Sequence, residues 1–495
     1  MWVVKLALRR PYTFVAAAIL IAILGGIAIA RMPTDVLPDI NIPVVSAIWQ
    51  YRGLAAEEME KRITTQSERA FTTTVNDIEH IESQTFAGMA VIKVFFHPGT
   101  PVDAAVAQMT AISQTVTRQM PPGATPPLIL RFNASSVPIL QLGLGGQGLS
   151  EQALYDIGSN FLRTQLATVQ GASVLQPAGG KARQIMVDLD PKALYSRGVS
   201  PADVSAAINA QSPILPAGAA KLGDREYSVR LNNSPELVEL LNDLPVRQQG
   251  GATVYLRDVG QVRDGGAVQM NVVRQDGRRG ALLSILKTGK ASTLDIVAKV
   301  KRELPRILST LPPELDVRLL LDQSLFVRAS IQAVLYEGLL AAILVSLMIL
   351  LFLGSGRSTL IVCTSIPLSI LTSLILLYFL DQTINVMTLG GLALAIGILV
   401  DEATVEIENI HRNLAMGKSI IRAVLDGARE IAVPAFVSAL SISIVFAPVV
   451  LLGGTAKYLF QPLAMAVVFA MLASWVLSRT LIPTMVRYML KSQLH

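Results

Sequence analysis

The chain has 495 residues, 52% of them hydrophobic and 16% charged, with a formal net charge of +6. Ordinary soluble domains carry about 25% charged residues, so the composition excludes a simple soluble protein and points to an integral membrane protein. The basic excess sits at the ends of long apolar runs, where topology explains it, and no nucleic-acid partner is implied.

The only cysteine, Cys363, lies inside an apolar run, which rules out an intrachain disulfide and a thiolate metal site. The histidines His80, His97, His411 and His495 show no ligand spacing. No GxxxxGK[ST] loop is present, so neither a metal, a cofactor nor ATP is expected.

Met1–Arg10 holds Lys5, Arg9 and Arg10, and the apolar run Tyr12–Ala30 follows. Its Ala28-Ile29-Ala30 end imitates a secretory signal. The run is about 19 residues, however, longer than a signal core and long enough to span. It is read as an uncleaved first span with its N-terminus in the cytoplasm.

Arg31 to about Gln332 is polar and far too long for a loop. It reads as an extracytoplasmic α/β region. Strand Ile42–Tyr51 precedes helix Leu54–Thr72, strands Ile78–Phe86 and Met89–Phe96 flank Gly88, and helix Val102–Gln119 stops at Pro121-Pro122. The order strand, helix, strand, strand, helix, strand is that of a ferredoxin-like unit. A second unit takes strand Val137–Leu144, helix Ser150–Gln170 and strand Ala172–Leu175. It closes with strand Ala281–Lys287, helix Thr293–Ser309 and strand Leu315–Leu321. Between its halves lies an insertion, Lys181 to Asp264. That insertion contains helix Ser200–Gln211, with Pro201 at its first position, and a hairpin, Ser212–Asn232, around Gly223-Asp224.

Five apolar runs follow, at 333–353, 358–380, 384–408, 431–453 and 462–486. Arg357, the basic group His411 to Arg429, Arg487 and Lys491 all fall on one side if the first span enters from the cytoplasm. Residues 417–430 read as a cytoplasmic helix. The fourth span carries adjacent acids, Asp401 and Glu402, with Glu406 and Glu408 in the next two turns. Acids in a bilayer are costly and normally face a bundle interior, where they carry protons or ions. Burial and mutual repulsion both disfavour their full ionisation, which suits a proton carrier. Arg479, about 17 residues into the sixth span, lies at the depth of Asp401. It must either snorkel or pair with Asp401, Glu402, Glu406 or Glu408.

This plan resembles the N-terminal half of a resistance–nodulation–division (RND) transporter, the hydrophobe/amphiphile exporter branch ahead of the heavy-metal branch. The resemblance rests on MPTDVLPDINIPVV, DLDPKALYSRGVSPADVSAAINAQ, VYLRDVGQV and, above all, GILVDEATVEIENIHR. It implies a six-span helical bundle with a periplasmic α+β domain. The segments would be 1–31 for the N-terminal segment and first span, 32–133 for the first porter subdomain, and 134–180 with 266–330 for the second. Residues 181–265 would be the docking subdomain and 331–495 the remaining spans.

By the same resemblance, Asp401 and Glu402 match the proton-relay pair, although drug exporters usually carry Asp-Asp. Glu408 and Asn409 match the Glu-Asn that follows it; Arg479, singled out by its depth alone, is added as a supporting intramembrane polar group. The family plan repeats in a second six-span half that supplies a relay lysine, so this half alone is not expected to pump. A homotrimer in the bacterial inner membrane is implied, with a periplasmic adaptor, an outer-membrane channel and a small-molecule substrate as partners. The alternatives are a heavy-metal-ion exporter of the same family, or a transport-incompetent half serving as an adaptor-docking scaffold. Methionines in the periplasmic region show no obvious pairing of the kind a metal path would use. An intramembrane aspartyl protease would need acids from two spans, and the other apolar runs offer none beyond Glu337 at a run's start.

Overall fold

The computed structural model describes residues 2–40, 42–51, 53–132, 137–211, 214–232, 238–249, 252–269, 271–289 and 291–490. The boundary at 133/134 and the hairpin's first residue, Ser212, lie outside them. The chain begins with a short helix α1 (Trp2–Arg9) and the apolar helix α2 (Pro11–Arg31). The sequence reading took Met1–Arg10 only as a basic flank. Val4 and Leu8, one turn apart on one face of α1, are buried against the sixth span, while Trp2 and Lys5 stay exposed.

The first α/β unit holds β1 (Val44–Gln50), α3 (Ala56–Met59), a wider helical turn at Glu60–Thr64, and α4 (Thr65–Thr74). It continues through β2 (Ile78–Phe86), β3 (Met89–Phe96), α5 (Val102–Thr117) and β4 (Leu128–Phe132). The antiparallel sheet has the order β2-β3-β1-β4. Gly88 makes the turn between β2 and β3 with φ +76°, a conformation that glycine adopts without steric cost. Alternate residues of β3 (Ala90, Ile92, Val94 and Phe96) point inward, as the period of a half-buried strand requires. They pack with Trp49 and Phe71 to form the core.

The second unit starts with β5 (Pro138–Gly146), α6 (Glu151–Asp156), a turn at Ile157–Leu162, α7 (Arg163–Leu166), β6 (Ala172–Val174) and β7 (Ala178–Gly179). The chain then leaves through β8 (Arg183–Leu189), α8 (Pro191–Ser196), α9 (Pro201–Gln211), β9 (Ile214–Leu222), β10 (Arg225–Asn232), β11 (Pro245–Gln249), β12 (Ala252–Tyr255) and β13 (Gly260–Gly266). Strands β8 and β13 pair along their whole length, from Arg183 with Gly266 to Leu189 with Gly260, and so close this excursion. Its own core joins Leu194, Val204, Leu256 and Val262. Ser200 and Asp203 cap α9 reciprocally: Asp203 N–H donates to Ser200 Oγ (3.1 Å) and Ser200 N–H to Asp203 Oδ2 (2.9 Å). Among the described residues the ribbon β9–β10 pairs only with itself, and it turns at Gly223-Asp224.

The unit is completed by β14 (Val273–Gln275), β15 (Arg278–Lys287), α10 (Thr293–Leu308) and β16 (Leu315–Leu320). Its sheet runs β14-β15-β5-β16, with β6 and β7 also on β15. The order around β15 and β5 therefore repeats that around β3 and β1 in the first unit.

The remainder is helical: α11 (Gln323–Leu353), α12 (Gly356–Phe379), α13 (Val386–Ala415), α14 (Ile420–Glu430), α15 (Ala432–Phe446) and α16 (Gly454–Met489). Among the described residues six helices are long and apolar enough to cross a membrane: α2, α11, α12, α13, α15 with its tight extension to Leu451, and α16. Helix α11 begins ten residues before its apolar run because Asp322 caps it, accepting from Ser324 N–H at 2.9 Å. Helix α13 outlasts its run and ends before Gly417, whose φ is +78°.

One joint ties the helical part to the α/β part. Ile384, just before α13, exchanges backbone hydrogen bonds with the segment after α2. Ile384 N–H donates to Pro33 and Asp35 N–H to Ile384, both at 2.9 Å. Asp35 receives Lys287 Nζ, Thr293 Oγ1 (2.8 Å) and Val36 N–H (2.8 Å) on its carboxylate.

Candidate functional site in the fourth and sixth spans

Helix α13 is fixed at its N-terminus by Asn385. Its side chain accepts from Met387 and Thr388 N–H, both at 3.0 Å, while Thr388 Oγ1 accepts from Asn385 N–H at 2.8 Å. Asn385 and Thr388 are wholly buried. Gly391 lets α16 approach closely: a Cβ there would stand 2.6 Å from the Leu463 carbonyl oxygen and 3.0 Å from Ala466 Cβ. The α13–α16 seam continues through Ala395, Leu399, Val467 and Ala470.

The acids divide by helical phase. Glu402, Glu406 and Asn409 stand at i, i+4 and i+7, on one stripe. Asp401, Val405 and Glu408 form the adjacent stripe, on which Val405 and Glu408 are exposed. Glu406 is completely buried and receives Arg479 Nη1 of α16 on Oε2 at 2.7 Å. The same Nη1 donates to Ala428 O, and Nη2 to Ile431 O, both at 3.1 Å. These carbonyls belong to the last turn of α14 and its cap, the end of a helix that favours a cation. Arg479 therefore does not snorkel to the surface. It is held at the meeting of α13, α14 and α16.

Glu402, one turn away, is different. Both its carboxyl oxygens are shielded from solvent and lack a hydrogen-bond partner. Ser474 of α16 lies beside it without reaching hydrogen-bond geometry. Glu406 Oε1 and Arg479 Nε are likewise unsatisfied. Buried polar atoms are almost always paired, so four orphaned atoms on three neighbouring side chains mark a site of unusual polarity.

The lower part of α13 is locked to α14. Asn409 Nδ2 donates to Gly427 O at 2.8 Å, and Gly427 packs on Ile410, where a Cβ would come within 3.2 Å. Lys418 bridges Asn413 Oδ1 (2.6 Å) and Asp426 (2.7 Å), and Arg412 reaches Glu430 (2.5 Å). The Asp426 carboxyl is held below its usual range chiefly by the hydrogen bond from Lys418. That of Glu430 is held low by hydrogen bonding from Asn409 first, then from Arg412 and Asn413. On the opposite side His411 Nε2 meets Ser358 Oγ of α12 at 2.7 Å.

Of the residues singled out from sequence, Glu402 and Arg479 come to the same buried junction. Asn409 acts as a helix clamp, and Glu408 faces outward. The partner of Arg479 is Glu406, one of four acids the sequence left open. Its helical spacing from Glu402 was the signal that separates it from Glu408. Among the described residues no group of three or more His, Cys, Asp or Glu could hold a metal ion.

Buried acids and an arginine at the seam of apolar helices, below a duplicated α/β layer, define a polytopic membrane protein with a charged intramembrane centre. The chain belongs to the AcrB/AcrD/AcrF family, which it matches over residues 3–495, and with it to the hydrophobe/amphiphile branch of the RND transporters. It is 29% identical over 489 residues to the multidrug resistance protein MdtC of Cronobacter sakazakii, covering 99% of this chain and 47% of that protein. Similarity to the MdtC proteins of Yersinia enterocolitica (29%, covering 99% and 48%) and Klebsiella pneumoniae (29%, covering 98% and 48%) is the same. The chain spans about half the length of the curated relatives it matches. Six apolar helices and this family make it a multi-pass inner-membrane protein.

Proposed function

We propose that this chain is the N-terminal half of a proton-motive-force-driven transporter exporting hydrophobic or amphiphilic compounds. The observation that carries the reading is Glu402, a buried carboxyl group without a partner, one helical turn from a carboxylate engaged by Arg479. Such a group makes no hydrogen bond that would compensate for its lost hydration, so a bound proton removes the charge that burial penalises. When Glu402 or Asp401 takes a proton, the attraction that holds Arg479 is redistributed between Glu406 and its α14 carbonyls. Helices α13, α14 and α16 shift against one another in response. Val405 and Glu408 are exposed on their stripe of α13, the natural seat of a second six-span half.

In this reading the two α/β units are ferredoxin-like porter subdomains (32–133, and 134–180 with 266–330). Residues 181–265 form a docking subdomain for a periplasmic adaptor that leads to an outer-membrane channel. Both termini lie in the cytoplasm. The β9–β10 ribbon, without a further partner strand among the described residues, reaches into a neighbouring subunit of a homotrimer. The similarity to multidrug resistance proteins supports a multidrug substrate range.

The test is proton-coupled export by a complete transporter carrying this half in proteoliposomes. Glu402→Gln and Asp401→Asn should each abolish substrate movement driven by an imposed pH gradient. Undiminished export by the double variant would overturn the relay.

A further inference from the structure

An even number of crossings brings the start of the first span and the end of the sixth to the same membrane face, and the fold places them side by side. There a cavity of about 410 Å³ is lined by Arg9, Arg10, Pro11, Tyr12, Thr13, Arg487 and Tyr488. The three arginines have no carboxylate partner among the described residues. Arg487 instead spends Nη1 on the Leu8 carbonyl, at the last turn of α1, and lies 5.6 Å over the Tyr488 ring. Arg10 is the N-cap of α2 and makes no side-chain cap, with Pro11 at the first helical position. The first turn of a 21-residue helix, uncapped by any side chain, thus turns the positive end of its dipole toward the same cavity. Three unneutralised guanidinium groups and a helix N-terminus are costly to gather unless an anion joins them.

The surroundings identify which anion. Tyr12 is 80% and Trp2 75% exposed, and Tyr488 also stands outward. Aromatic side chains with polar tips settle at the level of lipid headgroups. The cavity opens at the end of an apolar helix whose sides remain uncovered, so acyl chains can lie along α2 while the headgroup enters.

We propose that Arg9, Arg10 and Arg487, with the N-terminus of α2, form a binding site for the phosphodiester headgroup of an anionic phospholipid. Guanidinium groups match phosphate oxygens in paired hydrogen bonds, and basic pockets between spanning helices are suited to such headgroups. The bound lipid would bridge α1 and α2 to the end of α16, pinning the amphipathic N-terminal helix to the membrane face. The proposal rests on the membrane placement of α2 and α16 and not on the proton relay.

The test uses native mass spectrometry of the full purified chain in detergent, titrated separately with phosphatidylglycerol and phosphatidylethanolamine. Phosphatidylglycerol should bind at least tenfold more tightly. The R9Q/R10Q variant, which leaves the Arg487 contact to Leu8 intact and should fold normally, should lose roughly tenfold of that affinity. R9K/R10K should retain most of it. The control R422Q/R429Q removes equal charge from α14 and should change nothing. Equal phosphatidylglycerol affinity in R9Q/R10Q and the unaltered protein would overturn the site, as would an equal loss in the control. Full displacement of the lipid by millimolar inorganic phosphate would overturn the lipid as occupant in favour of a free anion.

Discussion

Lys287 at the end of β15 and Asp35 just beyond the first span form an ion pair whose side chains are only 4% and 6% exposed. Because the Asp35 carboxylate also accepts from Thr293 and its N–H donates to Ile384, the pair joins three elements: the exit of α2, the start of α13 and the second α/β sheet. Removing one member of a buried pair leaves an uncompensated charge and costs about 3–5 kcal/mol. Asp35→Asn or Lys287→Met should therefore lower the unfolding midpoint markedly. The double variant Asp35→Asn/Lys287→Met, which buries no charge, should recover much of the loss. A double-variant cycle in thermal unfolding measures this, and purely additive effects would refute the coupling.

The close seam between α13 and α16 gives a second expectation. At Gly391 even a methyl group meets the Leu463 carbonyl, a backbone atom that cannot turn aside. Gly391→Leu should force the helices apart and cost about 1–3 kcal/mol as overpacking. Gly390→Leu, one residue away and open on that side, should be tolerated. The contrast is read by thermal stability of the two variants in the same detergent.

A third expectation concerns acid. The Asp426 and Glu430 carboxyls are held below the usual carboxylate range, Asp426 by the hydrogen bond from Lys418 and Glu430 by those from Asn409, Arg412 and Asn413. A carboxyl with a depressed native value adds stability above its unfolded value and loses it as pH falls through the native one. The α13–α14 joint should thus be constant above about pH 5 and loosen progressively below about 4.5. Hydrogen exchange of α14 amides across this range would show it. Asp426→Asn/Glu430→Gln should flatten the profile.

The sequence makes the architecture legible where periodicity is strong. Runs of about 20 apolar residues reveal the spans, and alternating strands such as Met89–Phe96 reveal the sheets. Residues with two readings were harder. Trp2–Arg9 carries a basic flank and a one-turn apolar repeat at once, and only its packing on α16 shows a helix. Lys287 ends the apolar strand ALLSILK, and Asp35 lies in a loop, 252 residues away along the chain. No local pattern links such a pair. Arg479 required a carboxylate by its chemistry, but depth counting left four acids equal. Only the rotation of α13, fixed by the Gly391 contact and the Asn409 clamp, selects Glu406.

Arg479 and Glu406 should behave as a structural unit. Arg479→Gln leaves Glu406 buried without its cation and should destabilise the bundle by about 3–5 kcal/mol. Arg479→Met with Glu406→Leu should restore much of that stability and still fail to export, because the charge that responds to protonation is gone. Unfolding midpoints and export by the complete transporter separate these outcomes, and full export by the apolar pair would remove Arg479 from the mechanism.

Glu402 should show the opposite relation between stability and function. Its two carboxyl oxygens are buried and unpartnered, and an unsatisfied buried polar group costs about 1–3 kcal/mol. Methionine has a similar length, fills irregular space and carries no such penalty. Glu402→Met should therefore keep or raise the unfolding midpoint by an amount of that order, with α13 and α16 packed as before. Glu402→Asp would retain a titratable group but withdraw it by one methylene, and should fold normally while exporting more slowly. If the carboxyl is present to carry protons, Glu402→Met should be the more stable of the two and wholly inactive, with Glu402→Asp between it and the unaltered protein. A stable Glu402→Met that exports at the full rate would show that the orphaned carboxyl has no part in coupling. A strongly destabilised Glu402→Met would show instead that the group has a structural partner in the folded protein.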